Sequence, residues 1–285
     1  MKNILPVCLK YMIKGMNVME KRIKEILIDI AQKTYGKKPE YFKLEIIKEE
    51  RKSFHGDYCC NTKTIRIFNL SRPTEHVVST TIHELAHHID YCENGSSGHN
   101  KRFYGILRQL LITAIQCGYI SYESIKNKKD SNDIVQVEKH YGEIIAFYDE
   151  SKDTNKDKCI LKAKNSFNIK NYLSANGFSY NPFEKFWYIC IKKDEADEIK
   201  QQILEQDSNV KIEVCNYNDL SANIYYYLIV SKNTYDYKDI LSKNGYKYKG
   251  YNEKTNSWVK KINSKDLKKE QKFLSDLGLE YKIKK

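Results

Sequence analysis

The chain has 285 residues, 41% hydrophobic and 12% aromatic, with a formal net charge of +12. That composition excludes a disordered chain, and no apolar run approaches the ~20 residues a membrane helix needs. The eight cysteines include no C-x-x-C pair, which in a chain of this size argues for reduced thiols and a cytoplasmic setting. It argues equally against a disulfide framework or a cysteine-based zinc knuckle.

The length favours about two domains. The opening stretch, "MKNILPVCLKYMIKGMNVMEKR", lacks a long apolar core and a small-residue cleavage site. It does not read as a signal peptide, and residues 1–19 are assigned to an N-terminal tail. "VMEKRIKEILIDIAQKTYG" carries Ile23, Ile26, Leu27 and Ile30 at helical spacing, with Gly36 placed as a C-cap. "YFKLEIIKEE" reads as a strand, and "FHGDYCCNTKTIRIFNL" as two strands around an Asn-Thr turn, with Ile65 and Ile67 on one face. "SRPTE" opens a helix with Pro73 in its first turn, and Val77, Val78, Thr81, Ile82, Leu85, Ala86 and Ile89 keep its apolar period until "ENGSSG" ends it. A further helix runs from Asn100 to about Gly118. The stretch 126–158, polar at both ends, reads as a linker with one ordered element.

Beyond it the chain repeats itself. "KNSFNIKNYLSANGF" (164–178) aligns with "KNTYDYKDILSKNGY" (232–246), identical at seven of fifteen positions, and Trp187 then corresponds to Trp258. Each copy reads strand, short helix, two strands, helix, strand. That is the β-α-β-β-α-β order of ferredoxin-like modules, assigned to residues 159–224 and 225–285. The positive charge concentrates in the second copy. Residues 227–285 hold 15 Lys/Arg against 7 Asp/Glu, whereas residues 151–226 hold 11 of each. Such an excess fits either a polyanion-facing surface or a solvated lysine-rich one. "GYKYKGYNEKTNSWVKK" alternates aromatic and basic residues, so Tyr246 and Tyr248 share one side of a strand, where they could stack bases or pack against helices. Trp187 and Trp258 are expected to pack.

The chemistry concentrates in "TTIHELAHHIDYCENGSSGHNKRF", residues 80–103. His83 and His87 are four apart on an apolar-periodic helix, so both imidazoles lie on one face and can hold one Zn²⁺. Glu84 is placed as the general base of an H-E-x-x-H site. His99, separated from His87 by eleven intervening residues and at the start of the next helix, is the expected third ligand. The positive end of that helix favours neutral imidazole. His88 is rotated about 100° from His87 and is expected at the surface or behind the ligands. Asp90 is a candidate to orient a ligand, and Glu93 ranks behind His99 as an alternative ligand. Arg102, Tyr91 and Tyr104 are loose candidates for stabilising an oxyanion.

"HELAHHID" followed by "GHNKRFYGIL" resembles the SprT-like metalloproteases, which pair H-E-x-x-H with a later G-H-x-x-x-F; Gly98, His99 and Phe103 match the second element. The resemblance covers about residues 20–120, and residues 20–125 are assigned to this domain. It implies a zincin-like peptidase domain with His83, His87 and His99 as zinc ligands, Glu84 as catalytic base, and protein substrates. Eukaryotic relatives act on proteins crosslinked to DNA, which makes DNA-associated proteins the expected substrates. The zinc ribbon or knuckle that many members carry is replaced here by the tandem repeats. Residues 225–285 are a candidate surface for DNA or RNA, or for a protein partner. The competing reading is a nucleic-acid-binding protein with a structural or inactive zinc site.

Overall fold

The computed structural model describes residues 18–47, 51, 54–126, 132–181, 184–218, 225–250 and 256–284. Most of the assigned N-terminal tail, residues 1–17, lies outside them. The fold is α+β: a helical unit built on a small mixed sheet, then two four-stranded antiparallel sheets, each with two helices. No helix among the described residues is long and apolar enough to cross a membrane. The seven cysteines among the described residues are all free thiols.

Helix α1 (Val18–Tyr35) buries Ile23, Ile26, Leu27 and Ile30, the stripe its sequence marks, and ends at Gly36, whose φ of 71° is left-handed. Strands β1 (Lys43–Ile46), β2 (Gly56–Cys59) and β3 (Thr64–Ile67) form a sheet ordered β1-β3-β2. β1 runs parallel to β3, and β2 is an antiparallel edge. Ile65 and Ile67 are fully buried beneath α2 (Thr74–Asn94). Pro73 stands one position earlier than expected, as the N-cap with extended ψ, where its missing N–H costs nothing. Helix α3 (Lys101–Gln116) starts at Asn100, whose side-chain oxygen accepts from the Phe103 N–H at 3.0 Å.

The stretch read as a linker is partly core. After α4 (Tyr122–Lys126), helix α5 (Asp133–Tyr141) packs on α3 and buries Ile134 and Val137, and Ile144 follows them inward. Its polar flanks conceal an i, i+3 apolar pair that only the fold brings against α3.

The first repeat comprises β4 (Lys158–Lys164), α6 (Lys170–Ala175), β5 (Ser179–Asn181), β6 (Phe186–Lys192), α7 (Ala196–Gln206) and β7 (Lys211–Asn216). The second comprises β8 (Tyr225–Val230), α8 (Lys238–Lys243), β9 (Lys247–Tyr248), β10 (Trp258–Asn263), α9 (Leu267–Asp276) and β11 (Tyr281–Lys284). Both sheets run fourth-first-third-second with every neighbour antiparallel. The copies differ by one residue ahead of their shared left-handed asparagines, Asn165 and Asn233. Trp187 pairs with Ala163, two before Asn165, but Trp258 pairs with Val230, three before Asn233.

Side chains of cross-strand partners share a face. In the first repeat Cys159, Leu161 and Ala163 pack with Leu173 of α6 and Ile203 of α7. The opposite face, with Ile160, Phe186 and Tyr188, lies against α1, where Arg22 donates to the Tyr217 carbonyl and sits 5.5 Å from its ring. In the second repeat Tyr226, Leu228, Ile262 and Trp258 face the helices, and Lys260 pairs there with Glu270 of α9 at 2.7 Å. Tyr246 and Tyr248 share this side too: Tyr246 is buried in the core, and Tyr248 leans on Trp258 at 5.5 Å while half exposed. Both tryptophans are half-buried. The aromatics that alternate with lysine in the sequence therefore pack on the helix side, not on the open face of the sheet.

Candidate metal centre

Helix α2 places His83 and His87 one turn apart, and Gly95 then stops it with φ 70°, its N–H donating to the Tyr91 carbonyl at 2.8 Å. The turn of residues 95–100 reverses the chain and returns His99 over the two rings. His99 Nε2 lies 3.0 Å from His83 Nε2 and 3.1 Å from His87 Nε2. A tetrahedral zinc with nitrogens at about 2.0–2.1 Å would set neighbouring nitrogens about 3.4 Å apart, so a few tenths of an ångström separate this geometry from a ligand shell. The three residues could hold a metal ion.

Burial, then the neighbouring His83 and His99, push the His87 pKa down to about 3, and burial followed by His83 lowers that of His99. Three imidazoles converging on one point suit zinc. Their remaining nitrogens are held from outside. His87 Nδ1 meets the Ser97 hydroxyl at 2.8 Å, and His83 Nδ1 meets Asp133 Oδ2 at 3.1 Å, across from the start of α5. Beneath them lies Phe103, fully buried, stacked on His87 at 4.2 Å and edge-on to His83 and His99 at 5.0 and 5.1 Å. Tyr104 stacks behind His99 and on His140.

Glu84 is only 5% exposed, and it lines the same cleft of about 500 Å³ as the three histidines and Asp133. The β2 edge closes in on it: a Cβ at Gly56 would stand 2.8 Å from Glu84 Oε1. The residue there must be glycine for the strand to approach this closely.

His88 is fully buried, not at the surface. Its Nδ1 meets the Tyr58 hydroxyl at 3.0 Å and its Nε2 the Glu40 carbonyl at 3.1 Å, on the side of α2 away from the cleft. Asp90 orients no ligand; its Oδ1 accepts from Arg102 Nε at 2.5 Å, and Arg102 also donates to the Ser96 carbonyl. This pair ties the ends of α2 and α3 together and straps the turn bearing His99, so it takes Arg102 away from any oxyanion role. Glu93 is exposed and lines a separate cleft with Tyr35, Lys37 and Cys92. Sequence reasoning missed Asp133, Ser97 and the role of Phe103. The only signal for Phe103 was its place four residues after His99, one turn into the helix that His99 precedes.

No protein-family model, curated protein or solved structure matches this chain.

Proposed function

We propose that the chain is a cytoplasmic zinc metalloendopeptidase of the SprT-like kind, with a zincin-like catalytic unit and two ferredoxin-like repeats that recruit its targets. One observation carries the reading: a buried glutamate, on the helix that bears two of three converging imidazoles, shares their cleft. A structural metal site has no use for that carboxylate. The H-E-x-x-H and G-H-x-x-x-F elements support the family, and the fourth-first-third-second strand order supports the module type. Zinc, when bound, would polarise the scissile carbonyl and acidify a water in the open position.

The chain's own residues do the rest. His83, His87 and His99 supply lone pairs from Nε2, with Asp133 and Ser97 fixing the first two rings from behind. Glu84 takes the proton of the attacking water and delivers it to the departing amine. The cleft is bordered by β2, the edge strand of its sheet among the described residues, and an extended polypeptide is the kind of substrate such an edge takes, DNA-associated proteins among them. Residues 225–285, where positive charge accumulates, bring nucleic acid or a protein partner to the enzyme.

The test is metal analysis combined with cleavage of an unfolded protein substrate. Wild type should bind one zinc per chain and cleave, and Glu84→Gln should keep the metal and lose cleavage. Cleavage by Glu84→Gln at the wild-type rate would overturn the mechanism.

A further inference from the structure

The two repeats share one topology but use the open face of the sheet differently. In the first copy that face lies against α1, and Glu213, the cross-strand partner of Lys162, pairs with Lys164 at 2.6 Å. The second copy replaces these residues at matching register positions. Tyr225 and Tyr227 stand where the first has Lys158 and Ile160, and Lys261 stands where it has Cys190. Lys282 takes the place of Glu213, and Lys284 that of Cys215. No position on this face of β8, β9, β10 or β11 holds an Asp or Glu.

The aromatic and basic groups touch. Lys261 Nζ lies 4.1 Å from the Tyr225 ring centre, and Lys185, from the β5–β6 turn of the first copy, lies 5.8 Å from the Tyr227 ring. Burial, then the nearby Lys185, holds the Lys261 ammonium below its ordinary value, and no acid appears among the groups acting on it. Two cations thus converge from two modules. Lys282 and Lys284 extend the row along the exposed edge strand about 6.7 Å apart. Tyr225 is 37% exposed, so one ring remains reachable from solvent.

We infer that the open face of the second repeat, completed by Lys185 from the first, binds single-stranded nucleic acid, with phosphates on Lys185, Lys261, Lys282 and Lys284 and a base stacked on Tyr225. This rests on the reading of residues 225–285 as a recruiting module and names its ligand and surface. Unpaired bases are required because a duplex hides the ring faces that stack on an aromatic. An acidic protein segment would satisfy the lysines but not use the ring.

The test is fluorescence anisotropy of the full-length chain with labelled oligothymidylate, oligouridylate, the matching duplex and polyglutamate across a salt series. The expected result is tighter binding of a single strand than of duplex or polyglutamate, weakening linearly in log salt. The oligothymidylate and oligouridylate arms separate DNA from RNA. Lys261→Glu/Lys282→Glu should lose about tenfold or more in affinity and flatten the slope by about 1.4, at roughly 0.7 per phosphate. Tyr225→Ala should lose about tenfold and Tyr225→Phe should not, since the ring face does the stacking. Preference for duplex, equal binding of polyglutamate, or unchanged affinity in the lysine variant would overturn the inference. Lys261→Glu/Lys282→Glu should still bind one zinc per chain, so failure here leaves the metal-site reading standing, and failure of zinc binding leaves this one.

Discussion

Asp133 Oδ2 lies 3.1 Å from Nδ1 of His83, fifty residues away along the chain. A carboxylate beside Nδ1 favours the tautomer that keeps the Nε2 lone pair free for a metal, and it makes that nitrogen a stronger donor. Asp133→Asn keeps the size and removes the charge. It should weaken zinc binding about 10–100-fold, measured by competition with a chromogenic chelator, with the far-ultraviolet spectrum unchanged.

The Asp90–Arg102 strap makes a second, separable demand. Asp90 is fully buried, and Arg102 is its closest cation. Arg102→Ala leaves that carboxylate short of its charged donor and frees the turn at Ser96. The protein should lose about 1–3 kcal/mol by urea denaturation. The variant should also bind zinc more weakly because His99 rides on the loosened turn. Unchanged zinc affinity would show that the turn is held by its own backbone.

Gly56→Ala tests the approach of the β2 edge to Glu84, the proposed general base. Its Cβ would meet Glu84 Oε1 at 2.8 Å and Thr80 Cγ2 at 2.9 Å, so the carboxylate must shift. Zinc content should stay at one per chain while kcat falls about tenfold or more, since a 1 Å misplacement of a reacting group has cost of that order. Wild-type kcat in this variant would place the working position of Glu84 elsewhere.

Burial lowers the His88 pKa, and that sets a pH dependence. The ring is neutral in the folded chain at pH values where the unfolded chain, with pKa about 6.5, takes up a proton. The unfolded state then binds more protons, so stability rises with pH through this window and falls as pH drops below about 6.5. Thermal melts of metal-free protein should show Tm declining from pH 7 to pH 5. His88→Gln should flatten the decline, and a slope equal to wild type would mean that other groups carry it.

Local chemistry was legible in the sequence and non-local chemistry was not. The i, i+4 spacing of His83 and His87, the stop at Gly95 and the cap at Asn100 are properties of single helices and their ends, which sequence periodicity records. His88 reads as polar in any window, yet it is buried because Tyr58 and Glu40, from a strand and a loop, meet both its nitrogens. Asp133 sits in a polar stretch whose direction only tertiary packing sets. In the repeats, aligned identity located the helices and the left-handed asparagines. The single extra residue before Asn233 broke the match in the leading strand. Since strand side chains alternate, a fixed period assigns Tyr227 to the wrong face.

Helix α5 also decides where this chain can be shortened. A fragment ending at Lys126 would keep His83, Glu84, His87 and His99, and every sequence motif of a peptidase. It would expose the α3 surface that Ile134 and Val137 cover, and leave the His83 ring without its outer carboxylate. The smallest piece that keeps this packing and the His83–Asp133 contact therefore extends at least to Ile144. Loss of α5 from α3 would therefore strip the outer support of the histidine cluster without touching His83, His87 or His99.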